Sequence, residues 1–180
     1  EAVVALPLVL PPTVLGFYLL SGFGPNSAVG QAFRSIFGGT LPFTFEGILV
    51  ASVLYNIPFA IRPFASALRS VDRRLVEASW CLGASRMRTF FRISFSLAWQ
   101  GILTGLILTF AHTVDEFGVV LMVGGNIEGE TRVLSVLLYD QVESMAYGDA
   151  HRLAAGLLVF SFALLLLMQW LGRRTAMVND

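Results

Sequence analysis

Side chains able to do chemistry are sparse in this sequence. Its 180 residues carry twelve carboxylates, twelve basic residues that are all Arg, and a single cysteine, Cys81. One cysteine closes no disulfide within the chain and reads as a small apolar helix residue. His112 and His151 are the only histidines, so no metal cluster is proposed. The one acid–base grouping is Asp115 and Glu116 with His112 a turn before them, too few groups to define a reaction. Asp115 and Glu116 end an apolar run and read in two ways. They are an interfacial helix end or, with Gly118, the border of a path or gate through a membrane. A carboxylate at the bilayer centre costs roughly 2.5–3.5 kcal/mol, so the second reading requires a polar cavity or a partner. Neither carboxylate suits direct binding of an anion, because like charge repels and such sites use backbone N–H groups, Ser/Thr or Arg. No catalytic residue and no cofactor are assigned. The phosphate-cradling GxxxxGK[ST] loop is absent.

The larger concentration of polar chemistry lies between Arg73 and Ala98, RRLVEASWCLGASRMRTFFRISFSLA. Val71, Leu75, Ala78 and Leu82 recur at helical spacing, while Arg73, Arg74 and Glu77 point elsewhere. Asp72 falls in the first turn, where a carboxylate complements the helix dipole. Gly83 stands where the periodicity breaks, the place for a left-handed residue after a helix. Ala84 to Arg92 resumes with Met87, Phe90 and Phe91 on one side and Arg86, Arg88 and Arg92 around the other. The spacing predicts helix, turn and second helix over 71–92, lying along a membrane surface.

The elements that must position these groups are apolar. Hydrophobic residues make up 56% of the chain and charged ones 13%, far from the quarter-charged composition of a soluble domain. A hydrocarbon core of roughly 30 Å needs about 20 apolar helical residues, and four runs meet or approach that length. They cover about 2–20, 43–66, 93–114 and 153–172, with a short fifth span over 117–123 compatible with the pattern. The first run carries Pro7, Pro11 and Pro12, which predict a kinked helix packed against protein. The stretch 21–42 reads as a loop with a short helix around Gln31 to Phe37. Val133, Val136, Leu137 and Tyr139 mark an amphipathic patch. The chain opens on Glu1 within an apolar run that has no charged leader, and is read as lacking an N-terminal segment.

Arginine placement sets the expected orientation. Arg69, Arg73, Arg74, Arg86, Arg88 and Arg92 lie between the second and third runs, and Arg173 and Arg174 come after the last. The positive-inside rule then places the 71–92 loop and the C-terminus in the cytoplasm.

Glu77-Ala78-Ser79, three residues, Gly83, nine residues and Ile93 resemble the EAA loop of ABC-transporter permease subunits. That pattern reads Glu-Ala-Ala, three residues, Gly, nine residues, Ile-x-Leu-Pro. Ser79, Phe95 and Ser96 depart from it. Without the proline, Ser94 or Ser96 is expected to cap the following helix. The resemblance implies that Glu77, Ala78, Ser79, Gly83, Ala84 and Ile93 belong to a coupling loop docking on a separate ATP-hydrolysing subunit. It also implies an all-α, polytopic transmembrane bundle of the type I ABC importer kind, a single domain over 1–180.

The stretches PLVLPPTVLG (Pro7 to Gly16), FTFEG (Phe43 to Gly47), EFG (Glu116 to Gly118) and NIEGETR (Asn126 to Arg132) extend the likeness. They are similar to the molybdate permeases, close kin of the sulfate permeases. This implies transport of molybdate or tungstate ahead of sulfate or thiosulfate across a bacterial or archaeal inner membrane. The implied partners are the ATPase, a second permease copy, a periplasmic oxyanion-binding protein and lipid, with no nucleic acid. A membrane enzyme and a passive channel are the competing classes; the second needs no coupling loop.

Overall fold

Serine, proline and glycine at the ends of the apolar runs decide where the helices begin and stop. The computed structural model describes residue 7 and residues 9–176, with the side chains of 171–176 outside the described set. The helices are α1 (Pro12–Phe23), α2 (Ala28–Phe37), α3 (Phe45–Arg69), α4 (Arg73–Cys81) and α5 (Arg86–Thr89). A π-helical turn, Phe90–Ser94, leads on to α6 (Phe95–Asp115), α7 (Gly118–Gly124), α8 (Leu134–Glu143) and α9 (Tyr147–Ala176).

Among the described residues, three stretches are long and apolar enough to cross a membrane: Phe45–Arg69, the uninterrupted Arg86–Asp115 and Tyr147–Trp170. At about 1.5 Å per residue each exceeds the hydrocarbon thickness. The run expected over 2–20 lies partly outside the described residues. Its described helix, α1, has 12 residues. Pro12 does not kink this helix but opens it, at a position where the missing N–H costs nothing. The short fifth span considered over 117–123 is α7, seven residues long. Such a helix reaches only about 10 Å and cannot cross alone. It is instead a buried element, with Val119 and Val123 wholly inaccessible. In 21–42, Ser27 caps α2 by accepting from the Gly30 N–H, and Gly38 ends it in the left-handed conformation.

The chain divides into two compact units, Glu1–Pro58 with Ala111–Phe160 and Phe59–Phe110 with Ser161–Asp180. In the first, Ile48, Val120 and Val136 form the core, flanked by Phe117, Leu121 and Val133. Here α1 lies close on α7: a Cβ on Gly16 would come within 2.8 Å of Met122, and one on Gly118 within 2.8 Å of Pro12. In the second, Ala67, Ala98 and Ile102 form the core with Phe64, Leu68, Val71 and Phe95. Gly101 faces Ala67 and Gly105 faces Pro63, each too close to admit a side chain. Small residues serve here because helix association in lipid depends on close packing, lipid tails being as apolar as the side chains. The apolar stretch of α9 has no fully buried residue; Leu153, Leu157, Leu164 and Met168 are half-buried and most of its other apolar side chains are exposed, as on a helix with surface left for lipid or another chain.

Candidate functional site

Two places concentrate functional groups, one in each unit. The first is the hairpin made by α4, the turn at Gly83 and α5. Asp72 caps α4, its Oδ1 accepting from the Arg74 N–H at 2.8 Å. The helix ends in a Schellman turn: the Ala84 N–H reaches the Ser79 carbonyl at 3.1 Å and the Gly83 N–H the Trp80 carbonyl at 2.9 Å. Gly83 holds φ at +80°, a region in which a Cβ is strained. Ser85 then caps α5, its Oγ accepting from the Arg88 N–H. Across the hairpin, the Ser79 and Thr89 hydroxyls are hydrogen-bonded at 2.9 Å.

The sequence predicts a second short helix lying apart from the following span, with Ser94 or Ser96 capping that span. The structure corrects both expectations. From Arg86 the helix continues without a break to Asp115, so no new N-terminus exists to be capped. Ser94 closes the π-helical turn and Ser96 lies inside α6. The turn takes up an extra residue through the bond from the Phe95 N–H to the Phe90 carbonyl.

Five of the six residues matched to the loop pattern, Ala78, Ser79, Gly83, Ala84 and Ile93, line one open groove of about 380 Å³. Leu75 and Leu82 add apolar surface, and Arg88 and Arg92 bring positive charge. Of the apolar face predicted by the spacing, Val71 packs on the Ala67–Ala98–Ile102 core while Leu75, Ala78 and Leu82 are exposed, Leu82 at 88%. Glu77 is the sixth. It stands outside the groove lining and forms an exposed ion pair with Arg73 at 2.9 Å.

The second place is the break between α6 and α7. Asp115 and Glu116, adjacent in sequence, part company here. Asp115 is exposed while Glu116 is 4% exposed. The Glu116 Oε1 accepts from the Val119 N–H at 2.9 Å, tying the carboxylate to the first turn of α7. The Tyr55 hydroxyl of α3 also hydrogen-bonds the Glu116 side chain. The Ser135 Oγ of α8 donates to the Glu116 carbonyl at 2.8 Å. His112 packs its ring on Tyr55 at 5.6 Å. Gly118 lets α7 approach Pro12. A buried carboxylate supplied with donors stays in place as a brace; here its Oε1 is held by the Val119 N–H.

Beyond α7, Thr131 is buried at 2% exposure, and its Oγ1 donates to the Gly124 carbonyl and accepts from the Ile127 N–H. Arg132 Nε donates to Asn126 Oδ1 at 2.9 Å, closing the NIEGETR stretch on itself. In α8, Tyr139 stacks on Phe117 and donates to Glu143 at 2.6 Å. That hydrogen bond, with the Glu143 charge, raises the phenol's pKa above its ordinary value. Among the described residues no group of His, Cys, Asp and Glu could hold a metal.

Tyr55, Thr89 and Ser135 escape a reading of the sequence. Tyr55 looks there like any aromatic in an apolar run, and Ser135 lies nineteen residues from the carbonyl that it meets. The Ser79–Thr89 pair has one local signal, a serine where the resembling pattern has alanine.

The sequence model of the family described as "Binding-protein-dependent transport system inner membrane component" matches residues 1–177. Over 164 residues the chain is 52% identical to the molybdenum transport system permease protein ModB of Azotobacter vinelandii, covering 91% of this chain and 73% of that protein. It is 37% identical over 177 residues to ModB of Escherichia coli (strain K12), covering 96% of this chain and 76% of the relative. It is also 36% identical over 184 residues to the sulfate transport system permease protein CysT of Synechocystis, covering 100% and 63%.

Proposed function

The chain belongs to the family of binding-protein-dependent transport system inner membrane components, and we propose that it is the permease through which such a system carries molybdate, or tungstate. It is a multi-pass inner-membrane subunit and not itself a catalyst. Transport of this kind draws on a binding protein that presents the solute and on an ATPase that supplies energy.

The observation that carries the coupling half of this reading is the open groove under the Gly83 turn. It offers a partner exposed apolar surface at Leu75 and Leu82, small residues that allow close approach at Ala78 and Gly83, and arginines at its rim. An ATPase subunit is the partner that fits the function. It takes Glu77 as a charged contact on the neighbouring face, because the exposed pair with Arg73 contributes only about 0.3–0.5 kcal/mol to the helix by itself. Arginine placement argues that this hairpin and the C-terminus are cytoplasmic. Because α5, the π-turn and α6 are one continuous helix ending at Asp115, displacement of the hairpin is delivered along a stiff element to the break at Glu116. Asp115, Glu116 and Gly118 border the pathway there. Glu116 holds the start of α7, and a second copy of the chain completes the path. Alternating access then comes from movement of these braced elements, the anion being passed by neutral and cationic groups.

Molybdate is preferred to sulfate because the 52% identity is to a protein named for molybdenum transport, whereas the relative named for sulfate stands at 36%. Two measurements test the reading. Co-expression with the ATPase subunit and capture on the tagged permease is expected to fail for Gly83→Pro, since proline cannot adopt φ near +80°, and to weaken for Glu77→Arg. Capture equal to wild type for both variants rejects docking at this hairpin. Uptake of labelled molybdate in the presence of excess sulfate is expected to persist; full suppression by sulfate reassigns the substrate.

A further inference from the structure

We propose that Ser79 and Thr89 are positioning residues for energy coupling, their hydroxyl–hydroxyl bond making α4 and α5 one rigid input lever at the foot of α6. The inference rests on the reading that the ATPase docks on this hairpin. Over 71–94, Thr89 is the one buried residue, at 2% exposure, and it is polar. A buried hydroxyl persists at low cost only when it is partnered. Its partner is Ser79, ten residues earlier and on the opposite arm, at 2.9 Å. On the outer side, Arg86 lies over the Trp80 ring at 6.0 Å, a weaker tie between the same arms. The arms are otherwise joined through the Gly83 turn, three backbone bonds around a glycine.

The backbone just beyond Thr89 gives this tie a mechanical consequence. The π-turn starts at the next residue, Phe90, and its five residues replace α-helical hydrogen bonding with the wider pattern. The hairpin is thus stiffened on one side of Thr89 and runs without a break through the π-turn into α6 on the other. A push on α4 reaches α5 through the Ser79–Thr89 bond rather than through the glycine turn. Without the bond α4 can swing on Gly83 while α5 stays behind, and ATP hydrolysis proceeds with less movement of α6. The Thr89 hydroxyl is buried and outside the groove lining, so its loss falls on the yield of transport per ATP and not on docking.

The test uses the complete transporter, permease with its ATPase and binding protein, reconstituted in liposomes, and reads molybdate taken up per ATP hydrolysed. Ser79→Ala and Thr89→Val are each expected to lower that ratio several-fold. The double variant should fall no further than either single one, because both remove the same bond. Thr89→Ser, which keeps the hydroxyl, should stay near wild type. In the pull-down, ATPase capture by Thr89→Val, whose side chain is buried and outside the groove lining, should match wild type. An unchanged ratio in both singles, losses that multiply in the double, or loss of capture by Thr89→Val overturns the proposal while leaving docking in place. If Gly83→Pro also captures the ATPase as well as wild type, the docking reading itself has failed, and this inference falls with it.

Discussion

In the hairpin, Asp72, Gly83 and Ser85 satisfy the backbone from within a few residues, and of the residues over 71–94 only Thr89 is buried. Around Glu116 the side-chain partners come from α3 and α8, and the carboxylate is almost wholly enclosed. The same kinds of polar group therefore do different work. In the hairpin they shape an exposed surface with short-range bonds, each replaceable at modest cost. At the α6–α7 break they hold distant elements together where water cannot substitute, so each loss is felt by the fold. An exposed hairpin and an enclosed joint should accordingly differ in what breaks them.

The largest contrast is expected from volume. Gly118→Leu forces a side chain against Pro12 and the Thr13 backbone, and should destabilise the protein by about 1–3 kcal/mol or more. A lowered thermal midpoint of the purified permease checks this, with ATPase capture by the folded fraction unaffected. Next comes the carboxylate. Glu116→Leu leaves the Val119 N–H and the Tyr55 hydroxyl without their acceptor, a loss of about 1–3 kcal/mol. Glu116→Gln keeps an acceptor oxygen and should cost less than about 1 kcal/mol while altering uptake. Uptake by the Gln variant equal to wild type removes Glu116 from the pathway and leaves it a brace alone.

Smaller effects belong to the hairpin. Asp72→Ala removes the cap on the Arg74 N–H, worth about 1 kcal/mol of local helix stability. Hydrogen exchange should quicken across the first turn of α4 with no change in the global thermal midpoint. A global shift would mean that the hairpin is coupled to a core as tightly as Glu116 is. The smallest effect is Arg73→Ala. Its pair with Glu77 is exposed on both sides, and a double-mutant cycle should return no more than about 0.5 kcal/mol. Arg73→Ala should likewise leave ATPase capture near wild type. A loss matching that of Glu77→Arg would make the pair, not the Glu77 charge, the docking feature.

How much can be read without coordinates obeys the same division. The all-helical class, the apolar runs and the turn at Gly83 are consequences of composition and of patterns within ten or twenty residues. They are visible because helical hydrogen bonds, caps and the left-handed glycine are local. The family resemblance rests on the same local text around Glu77 and Gly83. The start of α1 at Pro12 is not legible in this way, because a proline can open a helix as readily as kink it, and the choice depends on what precedes it. The expected cap at Ser94 or Ser96 fails for a similar reason. Nothing in FFRIS announces that a wider turn will carry one helix into the next.

Tertiary structure alone decided which of two adjacent carboxylates is buried. Asp115 and Glu116 are interchangeable to a sequence reader, and burial depends on Tyr55 and Ser135 arriving from elsewhere in the chain. It also decided that Ser79 meets Thr89. By itself the sequence determined that this chain is helical, membrane-embedded and marked by an arginine-rich hairpin, because those properties are sums over local side chains. The buried carboxylate and the paired hydroxyls required the fold, because a polar group is stable inside a protein only when packing delivers its partner.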